Sequence, residues 1–115
     1  ITAVGNDVGF ENVFARQVIA FGQPGDVAVG ISTSGNSTNV LHALDQAKKQ
    51  GLVTVGLAGY DGGKMARARA VDYCVVARSE HIPRVQEAQA TAYHALLSVL
   101  YTVLRAQRLP TTIQR

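Results

Sequence analysis

Apolar positions along this chain fall into two alternating patterns. Val13, Phe14, Val18 and Phe21, with Arg16 and Gln17 among them, fit one face of a short amphipathic helix. Gly22-Gln23-Pro24-Gly25 stops it. Asp26-Val27-Ala28-Val29-Gly30-Ile31 is then almost continuously apolar, which predicts a strand covered on both faces. Val40, Leu41, Leu44 and Ala47 recur at helical spacing up to Gly51. Leu52-Val53-Thr54-Val55-Gly56-Leu57 predicts a second buried strand, and Asp61-Gly62-Gly63 a turn into a short Ala/Arg helix. Val71 to Val76 predicts a third strand, and Pro83 suits the first turn of a helix running to about Gln107. Residues 1–10, around Gly5-Asn6-Asp7-Val8-Gly9-Phe10, read as turns.

Strands alternating with helices of this length imply right-handed βαβ units and a parallel sheet, hence an α/β fold with flanking helices. Three strands alone leave a sheet edge and a helix-facing surface uncovered. From Ala92 to Leu104 the last helix is apolar on more than one side, through Tyr93, Leu96, Leu97, Val99, Leu100, Val103 and Leu104. One stripe can cover the sheet, and the remainder needs another partner.

Composition narrows the function classes. With 115 residues, 47% hydrophobic and 17% charged, the chain is a globular unit of one domain at most. No apolar run reaches the ~18 residues of a membrane span, Ile1 does not open a signal peptide, and the basic residues of the last helix come only at its end. No membrane partner is expected. A single cysteine excludes a disulfide framework and a multi-thiolate zinc site, so a reducing, cytoplasmic setting is expected. Cys74, among Val71, Tyr73, Val75 and Val76, reads as a small core residue. The net charge of +3 comes from five Arg facing Glu80 and Glu87 in residues 78–115. These are dispersed, without interleaved aromatics, so nucleic acid is not an expected partner.

Candidate chemistry concentrates after the first strand. Ser32-Thr33-Ser34-Gly35-Asn36-Ser37 places four hydroxyls in six positions between a buried strand and a helix. In an open α/β sheet that junction is the carboxyl end of a strand, where ligands bind. The following helix turns free N–H groups and its positive dipole end toward an anion. N-capping by Asn36 or Ser37 would need one such residue; four hydroxyls suit a phosphate monoester. Nucleotide patterns fail: a Walker loop needs Gly and Ser or Thr where Ala58 and Met65 stand, and no GxGxxG follows a strand. Gly30-Ile31-Ser32-Thr33-Ser34 lacks the closing Gly of a nucleophile elbow. No nucleotide cofactor is expected.

Gly30 to Ser37, preceded by Gly5-Asn6-Asp7 and followed by Asp61-Gly62-Gly63-Lys64-Met65, resembles the sugar isomerase (SIS) domain family, and within it the branch acting on sedoheptulose 7-phosphate. The resemblance covers essentially all 115 residues and implies a partial Rossmann-like, flavodoxin-like three-layer sandwich. It implies that residues 1–115 are the C-terminal portion of one SIS domain. The family's N-terminal helix, first strand and first Gly/Ser loop, the region bearing a catalytic Glu, have no counterpart here.

On the last helix, Gln86 and His94 lie roughly 12 Å apart along the axis and about 80° around it. Periodicity alone favours Glu87 as the partner of His94, from which it differs by only about 20°. The resemblance instead places Gln86 and His94 at the family's active-site positions, with His94 as an acid/base group. It places Asp7, Ser32, Thr33, Ser34, Ser37 and Gln86 against substrate. Read locally, Asp7 is a turn residue. The resemblance also implies one zinc per subunit, with Gln86 and His94 joining ligands outside this chain, although glutamine is a poor zinc ligand. A homotetramer and an enediol(ate) isomerisation follow from it as expectations. A non-catalytic phosphosugar-binding or regulatory role is the alternative. His42 and His81 read as surface and loop residues, and Asp61 and Lys64 as turn and helix-start residues. Pro83 departs from the family, where Asp near the substrate is common.

Overall fold

The computed structural model describes residues 1–113, with side chains through Arg108. Its elements are α1 (Thr2–Asp7), a 3-10 turn (Phe10–Asn12), α2 (Val13–Phe21), β1 (Val27–Ser32), α3 (Thr38–Lys49), β2 (Val53–Gly59), α4 (Gly63–Arg67), β3 (Tyr73–Ala77) and α5 (Ile82–Ile113). The strands form one parallel sheet in the order β1-β2-β3. Val27 pairs with Val53, and Val55 with Tyr73. The α/β reading therefore holds.

One sheet face is covered. Leu44 of α3, Ala58 of β2 and Met65 of α4 form the centre of the core, with Ala28, Val40, Leu41, Val71 and Cys74 packed around them. Cys74 is half-buried there, and burial pushes its thiol pKa up. At the amino end of the sheet Thr54, fully buried, donates through Oγ1 to Ala70 O, and its N–H donates to Asp72.

The structure departs from the sequence expectations in three places. Residues 2–7 are helical, not a turn. The helix buries none of its own residues, and its backbone bonds run from Gly5 N–H to Ile1 O and Val8 N–H to Val4 O. So short a helix differs little in local cost from successive turns, and composition does not separate them. Secondly, β1 is not covered on both faces: Val27, Val29 and Ile31 are exposed, as are Val53, Tyr73 and Val75 on the same side. α3 and α4 cover the other side, while α5 meets only the carboxyl end of this one, where Leu57, Val75 and Ala77 line a small cleft with Ala88, Gln89 and Ala92. Thirdly, α5 continues past Gln107 to Ile113. No glycine interrupts residues 105–109, and strong helix formers carry the helix into Pro110.

Candidate active site

β1, β2 and β3 all end on one rim, and the segments leaving them build the candidate site. Ser32 is buried, and its Oγ accepts the N–H of Gly35 (3.1 Å) and of Ser37 (3.3 Å) while lying 2.8 Å from Ser37 Oγ. Two lone pairs are thereby engaged, which leaves one proton for Ser37 or a ligand oxygen. Ser34 Oγ accepts the N–H of Asn36 at 3.2 Å. Ser37 stands at the N-cap of α3 yet makes no side-chain capping bond. Simple capping thus does not account for the hydroxyl cluster, and the helix start keeps N–H groups to offer an anion.

The loop takes its shape from a second segment. Gly35 has φ +71°, and a Cβ there would overlap the carbonyl of Gly62; at Gly63, with φ +56°, an added Cβ would likewise overlap Ser34 O. Met65 N–H donates to Gly35 O (2.9 Å), and Lys64 N–H to Asn36 Oδ1 (2.8 Å). Only glycine combines this backbone with this approach. Asp61 fixes the turn by accepting Gly63 N–H (3.0 Å) and pairing with Arg67 (2.8 Å). Those two interactions, the Gly63 N–H first, hold its carboxyl below the usual range. Asp61 and Lys64 thus occupy the turn and helix start expected of them.

α5 brings one predicted residue to the loop. Gln86 Nε2 lies 3.5 Å from Thr33 Oγ1, and Thr33 O accepts Gly59 N–H (2.8 Å). His94 lies two turns further along α5, exposed, its ring centroid 4.4 Å from that of Tyr93. Asp7 ends α1 on the surface, and among the described residues no hydrogen bond joins it to the loop. His42 is exposed on α3, and His81 is exposed just before α5. Among the described residues no three His, Cys, Asp or Glu side chains gather as metal ligands. Gln86 and His94 are two donors where a tetrahedral zinc takes four, so this chain alone does not fit the ion.

Sequence reasoning missed Gln89. It is 5% exposed, and its Nε2 donates to Ser32 O (3.3 Å) and Leu57 O (3.2 Å), beneath the loop. The available signal was its spacing, one helical turn after Gln86 on the same face.

The site is thus a hydroxyl-lined strand-to-helix loop at the rim of a parallel sheet, backed by a Gly-Gly turn. The SIS domain family matches residues 1–59, and the chain belongs to that family. It is a homologue of phosphoheptose isomerases. It is 46% identical over 100 residues to phosphoheptose isomerase of Aneurinibacillus thermoaerophilus, covering 87% of this chain and 50% of that protein. With the enzyme of Nitratidesulfovibrio vulgaris the identity is 52% over 96 residues, covering 84% and 45%. The solved phosphoheptose isomerase of Neisseria gonorrhoeae superposes with a TM-score of 0.81 at 42% identity, covering 85% of this chain and 55% of that one. The chain spans about half the length of the curated relatives it matches. Among the described residues no helix is long and apolar enough to cross a membrane.

Proposed function

We propose that this chain carries the phosphate-binding loop and part of the catalytic apparatus of an aldose–ketose isomerase, one that converts sedoheptulose 7-phosphate to D-glycero-D-manno-heptose 7-phosphate for ADP- or GDP-heptose synthesis. The observation that carries the reading is the rim loop, where Ser37 heads α3 without capping it and its hydroxyl bonds to that of Ser32, so that the hydroxyls cluster at the start of the helix. Ser32, Thr33, Ser34 and Ser37 hold the phosphate, and Gln86 and Asp7 orient the sugar hydroxyls. A base removes the proton beside the carbonyl, the electron pair forms an enediol(ate), and reprotonation at the neighbouring carbon completes the exchange. His94 is one acid/base group, and a Glu from polypeptide outside this chain is the other. A zinc ion on Gln86, His94 and two outside ligands is a secondary part of the proposal, and no step depends on it. The exposed apolar stripe Leu96, Val99, Leu100 and Val103 supports assembly, with a homotetramer as the expected form and the cytoplasm as its setting.

One observation favours a second reading. His94 stands two turns from the loop, so the chain's own residues at the loop bind without offering an acid/base pair. A SIS-type binding or regulatory protein needs no more than that. Assay of sedoheptulose 7-phosphate conversion by a folded assembly containing this chain separates the two: turnover supports the isomerase, while tight binding without turnover supports the binding protein.

A further inference from the structure

We infer that Gln89 is a positioning residue that sets the first turns of α5, and with them Gln86, over the Ser32–Ser37 loop. The inference rests on the phosphosugar reading of that loop. α5 is seated on the rim by two side chains of different character. Val85 is fully buried against Gly59, where an added Cβ would collide with it. That contact is apolar and non-directional, so by itself it leaves the helix free to turn about its axis. Gln89, one turn further on, is buried and polar, and one nitrogen donates to carbonyls of two different strands, Ser32 at 3.3 Å and Leu57 at 3.2 Å. An amide with both protons committed to fixed backbone acceptors locks rotation. Ser32 O also accepts the N–H of Gly35 at 3.1 Å, so the loop's fold and the helix's placement meet on one carbonyl. Gln86 precedes Gln89 by three residues, on nearly the same face. Its amide reaches Thr33 Oγ1 only at 3.5 Å, the limit of a hydrogen bond, so a small rotation of α5 carries it out of reach.

The test is calorimetric titration of the full chain with sedoheptulose 7-phosphate, and with inorganic phosphate as the loop-only probe. Gln89→Met removes both donors at constant length and should weaken sugar-phosphate binding about tenfold, the size of one polar contact. Inorganic phosphate should change by less than about threefold, because the hydroxyls themselves remain. Gln86→Ala should weaken the sugar phosphate to a similar extent, and the double variant should be no weaker than either single one. Gln89→His, which keeps one N–H donor, should restore most of the affinity. Thr54→Val, at the far end of the sheet, should lower thermal stability without changing either affinity. If Gln89→Met does not fold, Gln89→Asn, with the amide withdrawn by one methylene, carries the same expectation. Unchanged sugar-phosphate affinity in the folded Gln89 variant, or full additivity with Gln86→Ala, overturns the inference. Failure of the unaltered chain to bind either probe overturns the phosphosugar reading itself.

Discussion

The carboxyl rim of the sheet and its open face are built on opposite terms. At the rim, Ser32, Ser34, Asn36 and Asp61 each accept a backbone N–H, and Gly35 and Gly63 press backbone against backbone. Its shape comes from contacts within the chain. On the open face, Val27, Val29, Ile31, Val53, Tyr73 and Val75 lie exposed, and among the described residues α5 reaches only its carboxyl end, beside Val75. The groove beside the β1 edge, about 460 Å³ and lined by Phe14, Val18, Val29, Val40 and Leu44, is similarly apolar. Patches of this kind mark surfaces that another polypeptide covers. Under the proposed function the difference would separate two properties: ligand recognition local to this chain, and proton transfer and full stability that draw also on what packs against it.

The sharpest way to break that separation is through His94. If recognition and chemistry are divided as proposed, His94→Gln in a turnover-competent assembly should lower isomerisation by about 10²–10⁴-fold, the usual contribution of a general acid or base. Sugar-phosphate affinity, measured in the same preparation, should hold. Equal turnover in the two proteins would remove His94 from the mechanism. A matching loss of affinity would mean that recognition is not confined to the rim.

A pair of stability variants compares the two faces directly. Leu44→Ala empties the core on the covered face, where Leu44 is 2% exposed, and should cost about 2–5 kcal/mol in urea unfolding at fixed protein concentration. Val75→Thr, on the open face at 54% exposure, should stay within about 0.5 kcal/mol. A large loss at Val75 would show that the open face is already covered, by association of the chain with itself.

The same contrast explains what the sequence made legible. Strands and helices emerge from apolar runs because period and run length reflect burial on the local element. The loop is legible because four hydroxyls in six positions exceed any capping need. One-sided burial of β1 is not, because a run such as Val27 to Ile31 records that both faces are to be covered, not which polypeptide covers them. Nor is the approach of Gly35 to Gly62, since the two segments meet only after β2 is added to the sheet. Gln89 escapes for a related reason: an amide in a helix gains its meaning from the carbonyls opposite.

Within the rim, the hydroxyls themselves provide a smaller and cleaner effect. Ser34→Ala with Ser37→Ala should cost about 1–3 kcal/mol of phosphosugar binding, because two donors to a charged oxygen are lost. Ser37 makes no capping bond, and the bonds lost, Asn36 N–H to Ser34 Oγ and Ser37 Oγ to Ser32 Oγ, are exposed or part-buried, so thermal stability should change little. Calorimetry that finds the same affinity before and after the double change would sink the assignment of phosphate to this loop. A large drop in melting temperature would instead show that the hydroxyls serve the fold first.

The smallest effect distinguishes the rim from the opposite end of the sheet by pH. Asp72 accepts from the Lys48 ammonium and then from the Thr54 N–H, and both hold its carboxyl below the ordinary value of 3.8. Asp61 is lowered in the same direction by Gly63 N–H and Arg67. A carboxyl with a lower value folded than unfolded binds more protons when unfolded. Its contribution is therefore fully present above the unfolded value and is lost as pH falls through the folded one. Both groups are solvent-exposed, so the loss should be modest and should shrink further with added salt. Urea titrations on the acid side of 3.8 should show a shallower pH slope in Asp72→Asn than in the unaltered chain. Phosphate affinity near neutral pH should not move in that variant, because Asp72 stands at the amino end of β3. Asp61→Asn should flatten the same slope but also weaken phosphate, since the Gly62-Gly63 turn it anchors forms one wall of the loop. If both variants leave phosphate binding intact, the Gly-Gly turn holds its shape without Asp61, and the rim depends on its glycines alone.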